Sequence, residues 1–147
     1  MKHAKEGAIY TEIVLEIFKL SGLLVTEGDA LTEDVGLSSA RWKVLGALVL
    51  SDTSMTVPQI AHSMGQSRQS VQRLTDAMEK DGILEYRNNP FHKKAKLVTV
   101  SEKGKKIYEL LEQKQIPWAN SAAKGMNTSD LEATLSVLRK MTQRFEA

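Results

Sequence analysis

The sequence predicts a mostly α-helical chain carrying a small β-hairpin wing, and three observations lead there. Residues 56–81 read as two short capped helices separated by a glycine turn. Residues 83–100 switch to β-rich runs on either side of an Asn-Asn-Pro turn. The flanking stretches repeat apolar residues every three or four positions, the period of amphipathic helices.

Composition bounds the class. A chain of 147 residues suffices for one domain or a compact pair of subdomains. With 41% hydrophobic and 26% charged residues it can bury a core and shows no sign of disorder. The net charge of +2 is too small to imply a polyanionic partner, but its distribution is uneven. Residues 1–34 hold three basic side chains (Lys2, Lys5, Lys19) against seven acidic ones, a local net of −4. Residues 82–106 hold seven basic ones against Glu85 and Glu102, a local net of +5, so one end of the chain is suited to phosphate. The absence of cysteine excludes disulfides, thiolate metal ligands and thiol redox sensing. No run approaches the ~18 apolar residues of a membrane span. Glu12 and Glu16 interrupt any signal-peptide pattern. A soluble cytoplasmic protein, with no membrane partner, is expected.

In chain order, residues Ala8 to Val25 place Ile9, Ile13 and Ile17 beside Tyr10, Val14 and Phe18, continuing through Leu20, Leu23 and Leu24. Two adjacent rows make an apolar stripe wide enough for either a core or a subunit interface. Thr26–Gly36 is acidic and glycine-punctuated, and reads as a loop or a frayed helix end. Ser38 or Ser39 caps a helix through Leu50 with Trp42, Leu45, Leu48 and Val49 inward. Met55 adds a short edge strand. Thr56 caps the next helix, with Pro58 in the first turn, where its missing donor costs little. Ile60, Ala61 and Met64 form its buried face, and Gly65 supplies the left-handed backbone of a tight turn. Ser67 caps a second helix that runs to Asp81 and is stopped by Gly82.

Two short helices around such a turn describe a helix-turn-helix, whose second helix can enter a major groove. At about 100° per residue, Val71, Leu74 and Met78 face the core. Gln69, Gln72, Arg73, Asp76 and Lys80 face away, with Arg68 and Ser70 on the flanks. Arg and Gln pair bidentately with guanine and adenine edges, although an ordinary solvated face carries the same residue types. Ile83–Arg87 and Lys96–Val100 then form a hairpin with Lys93 and Lys94 at its tip and Arg87 and Lys96 near its base. A basic ribbon directly after a helix-turn-helix is a wing. A helix from Ser101 carries Ile107, Leu110 and Leu111 to about Ile116, where Pro117 should kink or break it. Trp118, Ala119, Ala122, Ala123 and Met126 follow as a second helical stretch. Asn127, Thr128 and Ser129 announce a last helix with Leu131, Leu135, Leu138, Met141 and Phe145 on one stripe.

In these segments the chain resembles MarR-type winged-helix regulators from about Ala8 to Phe145. The resemblance is carried by GLSSARWKVL at 36–45, TVPQIA at 56–61, SRQSVQRL at 67–74, GIL at 82–84 and VSEKG at 100–104. It implies a winged helix-turn-helix DNA-binding region at 37–100 and a helical dimerisation region made of 1–36 and 101–147. It further implies a homodimer that reads a pseudo-palindromic operator in double-stranded DNA, most often as a repressor. On that footing Arg68, Gln69, Gln72 and Arg73 are expected in the major groove and Ser67 and Ser70 on phosphate. Arg87, Lys93, Lys94 and Lys96 are expected on the backbone or the minor-groove rim. The family usually has Asp-Arg-Arg where this chain has His92-Lys93-Lys94. Lysine neutralises phosphate without offering arginine's planar fork, so the wing is expected to give general affinity more than shape reading.

A small-molecule effector wedged where the reading head meets the dimer helices would have to bind two head spacings unequally. Tyr10, Phe18, Trp42 and Tyr108 are candidates to line such a pocket, or are simply core aromatics. Histidines 3, 62 and 92 have no His or Cys partner at ligand spacing, and neither a phosphate loop nor a nucleophile motif occurs. No enzyme activity, metal or cofactor is therefore expected. His62 reads as a surface or packing residue. Charge gained by His92 would raise affinity for phosphate as pH falls from about 7.5 to 6. A winged helix serving protein–protein contact instead would need apolar groups on the outer face of the second helix, where this chain has Gln, Arg, Asp and Lys.

Overall fold

The computed structural model describes residues 1–146. Along the chain run α1 (Lys5–Thr32), a 3-10 turn (Glu33–Val35), α2 (Ser39–Ser51), β1 (Met55–Thr56), α3 (Val57–Met64) and α4 (Arg68–Lys80). They are followed by β2 (Leu84–Arg87), β3 (Leu97–Val100), α5 (Glu102–Ala122) and α6 (Thr128–Phe145). The chain forms two compact units, Met1–Glu112 and the residues from Gln113 onward. The fold is the expected one, mostly helical with a small winged sheet.

The first unit is built around one apolar cluster. Val44, Leu45, Ile60, Val71, Met78, Val98 and Leu111 are almost wholly removed from water. The helices α2, α3 and α4 that supply five of them each start at a side-chain cap. Ser38 accepts the Arg41 N–H at 3.3 Å to start α2. The antiparallel sheet has the order β1-β3-β2, with Met55 opposite Val98 and Leu84 opposite Val100. The edge strand expected at Met55 is thus present and closes the sheet beside α3. Of the residues expected inward on α2, Leu45 and Leu48 are buried, while Trp42 and Val49 are only half-buried; Val44 is buried as well.

Two expectations need correction. Thr26–Gly36 is not mainly a loop, because α1 continues to Thr32 before the 3-10 turn and Gly36. Contacts with α2 hold this acidic stretch helical. Asp29 Oδ1 accepts the Ser39 N–H at 2.7 Å, and Ser39 Oγ donates to the Val25 carbonyl at 2.8 Å. Gly28 packs so closely that a Cβ there would lie 2.1 Å from Ser39 Oγ. The glycine that signals a loop locally is a point of helix contact in the folded chain. The second correction concerns the break expected, as one of two outcomes, at Pro117: the residue lies within α5 and does not end it. Proline removes one N–H donor, and the carbonyl four residues back belongs to exposed Gln113, where water can satisfy it. Trp118–Ala122 therefore continue α5, while Ala123 and Met126, expected in the same helical stretch, lie in or beyond the turn at 123–125, where Gly125 has φ +86°.

In α1, Gly28 and Thr32 are the buried residues, and Ile9, Leu15, Phe18, Leu20, Leu23 and Leu24 are exposed. In α6, capped by Asn127 through the N–H groups of Ser129 and Asp130, Leu131, Leu135, Leu138 and Phe145 are exposed and Met141 is half-buried. No helix of the described residues is long and apolar enough to cross a membrane.

Candidate nucleic-acid interface

The α3–α4 pair is assembled by short-range chemistry. Thr56 and Gln59 form a reciprocal capping box: Thr56 Oγ1 accepts the Gln59 N–H at 3.3 Å and Gln59 Oε1 accepts the Thr56 N–H at 2.9 Å. Gly65 adopts φ +64° and closes α3 by bonding back to the Ala61 and His62 carbonyls. Ser67 Oγ accepts the Ser70 N–H at 3.1 Å, which starts α4 and leaves the hydroxyl proton available to a ligand. At the far end, Arg41 Nη1 pairs with Asp81 Oδ2 at 2.8 Å, and Lys103 Nζ donates to the Asp81 carbonyl at 2.9 Å. These ties fix α4 against α2 and the start of α5.

Val71, Thr75 and Met78 are the buried residues of α4, and Leu74 is half-buried against the same cluster. Arg68, Gln69, Gln72, Arg73, Asp76 and Lys80 are exposed, and Ser70 is half-buried. The polar face lies outward as the periodicity required. Ser67 is exposed beside it, and His62 is exposed at the end of α3.

The wing separates its cations by strand parity. Leu84 and Tyr86 on β2 pair with Val100 and Val98, on the face turned to α4, while Glu85 and Arg87 point the other way. Arg87 is held on that outer face, with Nη2 3.0 Å from Glu85 Oε2 and Nε donating to Thr99 Oγ1 at 3.3 Å. Lys96 lies on the inner side, its Nζ 6.0 Å from the centre of the Tyr86 ring. At the tip, Asn89 Oδ1 accepts the Phe91 N–H at 3.0 Å, and the Asn89 carbonyl accepts the His92 N–H at 3.3 Å. His92 Nδ1 accepts the Ala95 N–H at 3.2 Å, so this nitrogen serves the loop as an acceptor. Lys93 and Lys94 are exposed, as is Phe91.

Between α4 and the wing opens a cleft of about 440 Å³, lined by Val57, Pro58, Gln72, Asp76, Tyr86, Lys94, Ala95 and Lys96. The structure thus brings Gln72, Lys94 and Lys96 to one place, while Arg87 stands on the opposite face of the ribbon. Within the cleft, Gln72 Nε2 donates to Asp76 Oδ1 at 2.9 Å and to the Tyr86 hydroxyl at 3.2 Å. Tyr86 Oη also lies within bonding distance of Asp76 Oδ1 and of Thr75 Oγ1, the latter at 2.8 Å. Burial, reinforced by the hydrogen bond to Asp76, pushes the Tyr86 phenol up to about 12, so it stays a neutral hydroxyl near neutral pH. Sequence reasoning missed Tyr86. The Gln72–Asp76 pair was legible as an i,i+4 contact, and strand alternation placed Tyr86 with Leu84.

The four aromatic candidates do not line this cleft. Phe18 is 69% exposed. Tyr10 is half-buried, and its buried hydroxyl has no hydrogen-bond partner among the described residues. Trp42 and Tyr108 are half-buried against the apolar cluster of the first unit. Burial, with a smaller contribution from Glu112, raises the Tyr108 phenol above its ordinary value. Among the described residues no group of three or more His, Asp or Glu side chains is placed to hold a metal ion.

Comparison with known proteins places this geometry among relatives. A family model described as "MarR family" matches residues 35–95, which span the capped helices and most of the wing. The uncharacterized protein Rv2011c of Mycobacterium tuberculosis is 33% identical over 135 residues, covering 92% of this chain and 93% of that protein. The crystal structure of CouR from Rhodococcus jostii RHA1 bound to p-coumaroyl-CoA aligns with a TM-score of 0.80 at 16% identity, over 92% of this chain and 93% of that one. A mutant MarR from E. coli complexed with operator DNA aligns with a TM-score of 0.72 at 18% identity, over 87% and 94% of the two chains.

Proposed function

The chain belongs to the MarR family of transcription regulators, and from that premise we propose that it binds duplex DNA sequence-specifically as a homodimer. The observation that carries this reading is the outward polar face of α4 beside a cationic wing, with Gln72, Lys94 and Lys96 opening onto one cleft. Arg68, Gln69 and Arg73 meet base edges in the major groove, with Gln72 at the cleft side of the same face. Ser67 and Ser70, at the start of α4, donate to phosphate. Lys93, Lys94 and Lys96 neutralise backbone or minor-groove-rim phosphates, and Arg87 does so from the outer face of the ribbon. The relative crystallised with operator DNA supports the reading by analogy of fold.

Dimerisation is proposed because a single chain leaves the apolar rows of α1 and of α6 open to water. A two-fold dimer repeats its reading helix about one helical turn away along a pseudo-palindromic site. It represses where that site overlaps a promoter. Release by a small molecule is proposed on the precedent of the acyl-CoA-bound relative, with Tyr10, Phe18, Trp42 and Tyr108 as the residues to test. The experiment is fluorescence anisotropy on duplex from the DNA upstream of its own gene, at two salt concentrations. Specific, salt-sensitive binding by a dimer is expected. Equal affinity for that duplex and for random DNA of the same length would overturn the proposal.

A further inference from the structure

We propose that Phe91 is an apolar wedge that enters the minor groove beside the α4 contacts and parts one base step there. The inference rests on the DNA-binding reading above and gives the wing a sequence preference that its lysines do not supply.

Phe91 is 95% exposed, against 69% for Phe18 and 78% for Phe145. Those two phenylalanines lie on helices with other exposed apolar side chains, which a second copy of the chain can cover. Phe91 stands apart from them, in the segment NNPFHKKAK at 88–96, which holds three lysines and no acidic residue. A lone exposed apolar residue is ordinary on a protein surface, so exposure by itself decides nothing. The mounting of the ring does. The Asn89 carbonyl accepts the His92 N–H at 3.3 Å, which makes 89–92 a β-turn with Phe91 at one corner. Pro90 restricts the backbone at the other corner, and Asn89 Oδ1 accepts the Phe91 N–H at 3.0 Å. On the far side, His92 Nδ1 accepts the Ala95 N–H at 3.2 Å. The backbone is thus tied before and after a ring that is left in water, and burying that ring elsewhere requires little further ordering of the loop.

The surroundings of the ring select its partner. Exposed Lys93 and Lys94 follow it directly. An apolar pocket on another protein would leave these cations without counter-charge. A DNA duplex supplies phosphates for the lysines and stacked bases for the ring. With α4 in the major groove and packed against β2, the loop that ends the ribbon meets the adjoining minor groove.

Apolar side chains inserted from the minor groove unstack a base step and kink the duplex. The deformation is easiest at pyrimidine–purine steps (TA and CA/TG) and hardest in stiff A-tracts. Each half-site should therefore carry a pyrimidine–purine step at a fixed distance outside the bases that α4 reads. Exchanging that step for an A-tract should weaken wild-type binding by about fivefold or more.

The test is selection from a randomised duplex pool with the full-length wild type, Phe91→Ala and Phe91→Leu, each first checked for a cooperative thermal transition. The selected duplex then receives 2-aminopurine at the flanking step, where unstacking brightens its fluorescence. Expected is a wild type that enriches a pyrimidine–purine step in each flank and brightens the probe on binding. Phe91→Ala should bind that duplex about tenfold more weakly, lose the flank preference and leave the probe dark, while keeping the inner base preferences. Phe91→Leu, still an apolar wedge, should retain most of both signals. A dark probe with the wild type overturns the inference, and this arm decides alone if Phe91→Ala does not fold. Phe91→Ala with wild-type affinity and flank preference overturns it too, and is the outcome if the ring serves a membrane or a protein partner. Both results leave DNA binding intact. A wild-type pool with no enrichment at any position removes the DNA-binding reading and this inference together.

Discussion

Replacing Gly104 by alanine should destabilise the protein, although Gly104 lies in the first turn of a helix. Judged by propensity alone, Gly→Ala in a helix stabilises by about 1 kcal/mol. The tertiary structure reverses that sign. A Cβ on Gly104 would lie 2.3 Å from the Ile83 carbonyl oxygen and 2.8 Å from Val100 Cγ1, about 1 Å inside ordinary contact. The obstructing oxygen is backbone and already accepts the Ser101 N–H at 3.0 Å and the Ser101 hydroxyl at 2.9 Å. Overpacking costs about 1–3 kcal/mol, and disturbing two hydrogen bonds adds about 1 kcal/mol each. After the propensity gain, the net loss is about 2–4 kcal/mol. At about 2–4 °C per kcal/mol for a chain of this size, Tm should fall by about 5–15 °C. Thermal and urea denaturation read the effect directly. Because Ile83 immediately precedes β2, the shift would also move the base of the wing, and DNA affinity should fall under conditions where the variant remains folded. A Gly104→Ala protein as stable as wild type, or more so, would refute the argument.

The remaining expectations concern the interface and its supports. Arg73→Ala should cost on the order of 1–3 kcal/mol of operator binding and relax specificity, whereas Lys94→Ala should weaken all duplexes alike and lower the log–log salt slope by about one; titrations at several salt concentrations separate the two behaviours. Thr56→Ala removes one side of the capping box and should lower stability by about 1 kcal/mol, visible as a lower urea midpoint with unchanged slope. Raised to about 12 in the folded chain, the Tyr86 phenol holds its proton between about pH 10 and 12 while an unfolded tyrosine has lost it. The unfolded state then binds fewer protons, so stability present below about pH 10 is lost as pH rises through 12. Chemical denaturation across that window should show a shallower decline in Tyr86→Phe than in wild type, and parallel declines would count against the hydrogen-bond network.

What the sequence by itself determined lies within a few residues along the chain. Thr56 with Gln59, Ser67 with Ser70 and Asn127 with Ser129 satisfy helix ends locally, so the reading helix and the final helix start where their residues say. Gly65 and Gly82 adopt left-handed backbone at the turns that composition marks. The outward direction of Gln69, Gln72 and Arg73 follows from helical period once Val71 and Met78 must be buried.

Tertiary structure decided the features that depend on distant partners. Gly28 and Asp29 look like loop residues until Ser39 packs on one and bonds to the other, and then the helix persists. Arg87 and Lys96 look equivalent as wing cations, but strand pairing places one outside the ribbon and the other over Tyr86. Gln72 looks like an independent surface side chain until Tyr86, fourteen residues away, brings its hydroxyl within 3.2 Å of the amide nitrogen that already bonds Asp76. The physical reason is common to all three. Capping and period are settled by bonds within one or two helical turns, whereas a packing contact or a shared donor exists only after separate elements have come together.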